Sequence, residues 1–153
     1  MPPSLTVRTV RRSDFDQWLP LWEGYNAFYG RSGQTALTAE ITQTTWARFF
    51  DCYEPMHALV TEREGQLLGL AHYLFHRSTI MLAATCYLQD LFTDIRERGK
   101  GVGRALISAV YDDARAAGIS RVYWHTHETN QTARKLYDQL AENSGFVVYR
   151  RQV

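Results

Sequence analysis

The sequence predicts an α/β (α+β) domain built on one mixed, twisted sheet, and three observations carry that expectation. Short strand-like and helix-like segments alternate along the chain in the order β-α-α-β-β-β-α-β-α-β. A glycine-rich run, Arg96-Glu97-Arg98-Gly99-Lys100-Gly101-Val102-Gly103-Arg104, joins an apolar strand-like stretch to a strongly periodic helix. Finally, 153 residues with 45% hydrophobic content fill one sizeable core and are too few for two, so 1–153 reads as a single domain.

The elements follow in chain order. Leu5 to Val10 alternates as a strand does. Ser13 is placed to cap a helix carrying Phe15, Trp18, Leu19, Trp22 and Tyr25, which Pro20 is expected to kink or split. Thr38 caps a second helix through Trp46, Phe49 and Phe50. His57 to Glu62 and Leu67 to Phe75 form a hairpin about the turn Arg63-Glu64-Gly65-Gln66. The apolar stretch from about Ile80 to Thr93 reads as a central strand ending at the glycine run. In the helix from Gly101 to Ala117, Val102, Leu106, Ile107, Val110 and Ala114 form one stripe, and Gly118 supplies a left-handed C-terminus. A strand at Arg121 to His125, a helix with Ala133, Leu136, Tyr137 and Leu140 on one face, and a last strand at Phe146 to Arg150 complete the chain.

A formal net charge of +1 provides no global basic field for nucleic acid or a membrane surface. Cys52 and Cys86 are isolated, with no metal or redox spacing, which fits a reducing compartment. Met1-Pro2-Pro3-Ser4 lacks an apolar signal core, and no stretch approaches the roughly 18 apolar residues of a membrane span. A cytoplasmic protein is expected.

The glycine run reads as a phosphate cradle. Gly99, Gly101 and Gly103 free the backbone to turn and to aim successive N–H groups at an anion, and Arg98, Lys100 and Arg104 add positive charge. A P-loop is excluded because Asp94 stands where its first glycine belongs and Gly101 follows Lys100. The dinucleotide fingerprint fails because Gly99 and Gly101 lead to Arg104, and Gly101 and Gly103 to Leu106. What remains, Arg98-x-x-Gly101-x-Gly103 between strand and helix, resembles the coenzyme A pyrophosphate loop of the GNAT superfamily of N-acetyltransferases.

The resemblance covers nearly the whole chain and is most similar in wording to the yeast Hpa-type histone and polyamine acetyltransferases and their small bacterial relatives. It rests on Tyr87-Leu88-Gln89-Asp90-Leu91-Phe92, on Val122-Tyr123-Trp124-His125-Thr126-His127-Glu128-Thr129-Asn130, and on Ala133-Arg134-Lys135-Leu136-Tyr137. It implies a six- to seven-stranded sheet with about four helices and a splay between two central parallel strands, which end near Thr93 and His125. It also implies acetyl-CoA as cosubstrate, bound by residues 98–104 including Val102, by the free backbone of Leu91, Phe92 and Thr93, and by Asn130, for which an ordinary helix cap is the competing role. Two departures stand out: Ile95 replaces the usual proline before the motif arginine, and the terminal hairpin is reduced to one strand. The exposed edge this leaves predicts pairing across a homodimer.

Acetyl transfer to an amine needs a proton acceptor, because an ammonium has no free lone pair and an alkylamine is protonated at neutral pH. Asp90 and Glu128, at the ends of neighbouring strands, are the candidate carboxylates; a backbone-bonded strand end and a solvated or capping charge are their bland alternatives. The resemblance assigns Tyr137 to protonating the departing thiolate, against plain core packing on its helix's apolar face. Tyr25 and Tyr29, four apart on one face, are candidates for lining an acceptor pocket, with Gly30-Arg31-Ser32-Gly33 as a hinge. His125, His127 and Glu128 lack a fourth metal ligand at a recognisable spacing, so no metal is expected, and His57, His72 and His76 are most simply structural. The acceptor expected is a small primary amine such as a polyamine, amino acid or amino sugar. A protein lysine or N-terminus, and a non-catalytic acyl-CoA sensor, are the alternatives.

Overall fold

A computed structural model describes residues 3–153, so Met1 and Pro2 of the N-terminal run lie outside the described residues. Five strands form one sheet in sequential order: β1 (Thr6–Thr9), β2 (Met56–Arg63), β3 (Gln66–His76), β4 (Thr85–Thr93) and β5 (Val122–Tyr123). The first three pairings are antiparallel and β4–β5 is parallel. Four α-helices flank it: α1 (Phe15–Phe28), α2 (Ala39–Arg48), α3 (Val102–Ala116) and α4 (Gln131–Leu140). Among the described residues no helix is long and apolar enough to cross a membrane.

Alternation in the strands divides the core between the two faces of the sheet. On one side Leu59, Ala71, Cys86 and Leu88 meet the α3 stripe Val102, Leu106, Ile107, Val110 and Ala114, with Leu136, Tyr137 and Leu140 of α4 packed at its margin. On the other, Ala58, Val60 and Leu70 meet Trp18, Leu21, Trp22 and Tyr25 of α1. Burying these stripes holds the helices against the sheet at about 25 cal/mol per Å² of apolar surface.

Local signals hold where backbone chemistry is decisive. Glu64 and Gly65, both at positive φ (51° and 78°), close the β2–β3 hairpin in two residues. Thr38 Oγ1 accepts the Ile41 N–H at 3.3 Å at the start of α2. Gly118 sits at φ 75° after α3, while the Ile119 N–H returns to the Ala114 carbonyl at 2.8 Å, closing the helix end.

Four expectations are corrected. α1 is not split at Pro20, because the buried row Trp18, Leu21, Trp22 and Tyr25 continues through it and holds both halves on the sheet. Ser13 does not cap α1: Asp14 takes that position, fixed by two hydrogen bonds from Arg8 (2.8 and 3.0 Å) and one from the Arg11 N–H (2.7 Å). β4 begins at Thr85, since Ile80 and Leu82 are exposed on the preceding turn. Among the described residues the sheet has five strands where six to seven were expected, because Phe146 to Arg150 finds no neighbouring strand there to supply a ladder and Phe146, Val147, Val148 and Tyr149 face solvent.

Candidate functional site

The site starts where two parallel strands part. β4 and β5 pair only at Cys86–Val122 and Tyr87–Tyr123, and β4 then runs six residues further, to Thr93. Beyond Tyr123 the ladder stops: Trp124 packs edge-on against Tyr137 (5.4 Å between ring centroids), and His125 touches β4 only through its side chain, its Nδ1 3.3 Å from the Tyr87 hydroxyl. This splay leaves the β5-facing backbone of Leu91, Phe92 and Thr93 without a ladder partner from β5.

The glycine run closes one end. The Asp94 N–H bonds the Leu68 carbonyl (2.8 Å), its carboxylate caps a 3-10 turn at Ile95–Glu97, and Gly99 and Gly101 follow at φ 76° and 87°, a region closed to most side chains. Ala105 makes the first helical bond of α3, to the Gly101 carbonyl at 3.0 Å, so the N–H groups of Val102, Gly103 and Arg104 have no helical partner. Arg63 and Lys100 share the Glu97 carboxylate (2.9 and 3.5 Å), and Arg104 hydrogen-bonds Gln139. The Arg98 guanidinium lies 5.7 Å from the ring centres of both Phe28 and Phe92. Free helix-end amides beside Arg98, Lys100 and Arg104 are a chemical fit for a diphosphate.

The other end is set by an irregularity in β4. His72 pairs with Asp90, but Tyr73 pairs with Leu88, so Gln89 is an extra residue in the ladder. This bulge puts Leu88 in the α3 core while Asp90, two residues on, reaches the α1 face. Without it the two side chains would share a face. Asp90 is 8% exposed and its Oδ2 lies 2.9 Å from His72 Nδ1; Trp18 Nε1 donates to His72 Nε2 at 3.0 Å. A cavity of about 250 Å³, lined by Trp22, Arg48, Phe49, His72, Gln89 and Asp90 among others, opens beside this carboxylate.

Tyrosines surround it. Burial, and next the Asp90 charge, push the Tyr25, Tyr29 and Tyr87 hydroxyls above the usual phenol range. Burial raises the Tyr137 hydroxyl to about 12, with a smaller contribution from nearby Tyr29, so it is a protonated donor at neutral pH. The Cys86 thiol is likewise raised to about 12 by burial, which leaves it unreactive.

The structure thus brings together Asp90, Tyr25 and Tyr29, while Tyr137 packs against Trp124. Glu128 stands apart, on the exposed turn before α4, where its carbonyl rather than its carboxylate accepts from Arg134 (2.8 Å). Asn130 occupies the N-cap of α4 without a capping hydrogen bond, its amide instead 3.5 Å from Thr126 Oγ1. His125 and His127 have separate partners, Tyr87 and Thr129. His72, Phe49 and Arg48 were not singled out as site residues; the shared face of Leu70 and His72 was the one sequence signal, and it does not reveal a partner on another strand.

These features define a mixed α/β fold whose sheet parts beside a glycine-rich helix end, with a cavity opening next to a buried carboxylate. The profile of the acetyltransferase (GNAT) family matches residues 18–141, and the chain belongs to that family. It is 36% identical over 149 residues to the D-amino-acid N-acetyltransferase HPA3 of Saccharomyces cerevisiae, an alignment covering 96% of this chain and 90% of that one. It is 27% identical to the uncharacterised N-acetyltransferase YhfO of Bacillus subtilis, over 95% of each chain. Among solved structures, AAC(6')-Iy in complex with a bisubstrate analogue shares the fold with a TM-score of 0.82 at 15% identity, over 98% of this chain and 99% of that one. The protein is an acetyltransferase enzyme.

Proposed function

We propose that the chain transfers the acetyl group of acetyl-CoA directly to the primary amine of a small molecule of the polyamine, amino acid or amino sugar class. The observation that carries this reading is the position of Asp90, a buried carboxylate at the inner wall of an aromatic cavity, on the strand that forms the splay. Acetyl-CoA supplies the acetyl group as a thioester with a thiol leaving group. Residues 98–104 hold its diphosphate, Leu91, Phe92 and Thr93 offer backbone to its arm, and Asn130 contacts that arm. Asp90 removes one proton from the acceptor ammonium. The freed lone pair forms the C–N bond as the C–S bond breaks, with the Leu91 or Phe92 N–H bonded to the carbonyl oxygen. Tyr137 gives its proton to the departing sulfur and regains one from the acylated nitrogen, so that Asp90 finally releases one proton to solvent. Tyr25 and Tyr29 line the approach, and Glu128, on the exposed turn before α4, adds a negative charge at long range.

Within this class an amino acid suits the cavity best. Arg48 lines its wall 3.8 Å from Glu54, with its side chain 49% exposed, so a substrate carboxylate meets a loosely held cation while the amine meets Asp90. Similarity to a D-amino-acid N-acetyltransferase supports the same choice. The reaction needs no metal, nucleic acid or membrane and takes place in the cytoplasm. The proposed assembly is a homodimer in which the unpaired 146–150 segment of each chain covers the open β5 edge of the other.

Thiol release from acetyl-CoA, measured with panels of amino acids, polyamines, amino sugars and lysine- or N-terminus-bearing peptides, tests this. Free small amines are expected to give the highest kcat/KM. Faster peptides would reassign the enzyme to proteins, and tight CoA binding without thiol release from any amine would make it a sensor.

A further inference from the structure

Between the sheet and α1 runs a chain of polar groups, Trp18, His72 and Asp90, exposed by 0%, 3% and 8%, of which the transfer steps use Asp90 alone. The imidazole is enclosed by the rings of Phe49 (4.5 Å), Trp22 (5.4 Å) and Trp18 (5.9 Å). An apolar side chain at position 72 would fill this space without the desolvation cost that a buried imidazole and carboxylate carry. The cost is offset only if the groups are held in one arrangement, and the donors define that arrangement. An indole N–H donates and never accepts, so Trp18 Nε1 at 3.0 Å requires a lone pair on His72 Nε2. The single ring proton then lies on Nδ1, directed at Asp90 Oδ2 at 2.9 Å.

We propose that His72 is a positioning residue for acetyl transfer: fixed as its Nδ1–H tautomer by Trp18, it holds Asp90 Oδ2 so that the other carboxylate oxygen faces the acceptor cavity. This rests on the reading of Asp90 as the group that receives the amine. The bulge at Gln89 and the Trp18–His72 contact serve one purpose, since the first turns the carboxylate to this face and the second stops it rotating. The relay also has a closed end. With Nε2 occupied by the indole N–H, His72 cannot carry a proton onward, so the proton that Asp90 takes leaves on the cavity side.

The test combines spectroscopy of the native chain with a set of variants. Nitrogen-15 NMR of the imidazole is expected to show His72 protonated at Nδ1 and not at Nε2. His72→Leu, which removes the donor, is expected to lower kcat/KM for the amine roughly 10- to 100-fold with CoA affinity unchanged. His72→Asn, whose amide N–H stands close to the place of Nδ1–H, is expected to stay within about threefold of native. The double variant His72→Leu/Asp90→Asn is expected to be no slower than Asp90→Asn alone, because the imidazole acts through the carboxylate. A proton on Nε2, an Asn variant as slow as the Leu variant, or losses that multiply in the double variant would each overturn the positioning role. An Asp90→Asn variant with native turnover would instead remove Asp90 from the reaction. If His72→Leu does not fold, the tautomer and the His72→Asn kinetics decide the matter.

Discussion

Tyr137 shows how packing sets the protonation state of a side chain proposed to act in the transfer. Its ring meets Trp124 edge-on, and the burial that results lifts its hydroxyl to about 12. Tyr137→Phe keeps the ring and removes the proton; kcat is expected to fall roughly 100-fold with CoA affinity unchanged, by steady-state kinetics and calorimetry. The shift also fixes a sign for stability. A folded-state phenol raised above its ordinary value of 10.0 contributes stability that is complete below pH 10 and is lost as pH rises toward 12. Tyr25 and Tyr73 are raised in the same sense, first by burial. Urea unfolding is therefore expected to show stability falling above about pH 10. Asp14 works in the opposite direction, since Arg8 holds its carboxyl below the usual range and its contribution is lost as pH falls through that lowered value. Asp14→Asn is expected to cost about 2 kcal/mol at neutral pH. Asp90 could be singled out from sequence because a carboxylate at a strand end beside a cofactor loop is chemically conspicuous. His72 could not, because its partners, Trp18 and Asp90, lie on α1 and on another strand.

At the level of elements, the features legible in the sequence are those written in local chemistry. Glu64-Gly65 closes a hairpin, Thr38 starts a helix, and Gly118 ends one, each within a few residues of its cause. The Gln89 bulge is not of this kind. It appears only when β3 and β4 are paired, and strict alternation along β4 would assign Asp90 to the same face as Leu88. Removing Gln89 is expected to restore that alternation, drive the carboxylate toward the α3 core and abolish turnover, with a lowered thermal midpoint. Amine-dependent thiol release at the native rate would show that the bulge does not aim the site. The expected last strand does not form for a related reason: Phe146 to Tyr149 has the composition of a strand, but composition supplies no ladder partner.

For the molecule as a whole, that missing partner and the two-faced core belong together. One face of the sheet buries the α3 stripe and the other buries α1, so the proposed diphosphate and acceptor sites fall on opposite sides of β4, joined through the splay. Among the described residues the outer edge of β5 has no strand partner, and the apolar 146–149 run is exposed. Light scattering is expected to find a dimer for the intact chain and a monomer when residues 146–153 are removed; a monomer in both cases would leave that edge to another partner. The general architecture was readable because alternating strands and helices with one glycine-rich helix start allow few arrangements. The identity of the acceptor was not, since the cavity proposed to hold it is assembled from α1, α2, β2, β3 and β4. The most direct test is the release of CoA thiol by the native chain and by Asp90→Asn with a free amino acid as acceptor. A loss of about 100-fold or more in kcat/KM, with CoA binding intact, is the predicted result. Equal rates for the two proteins would contradict the account.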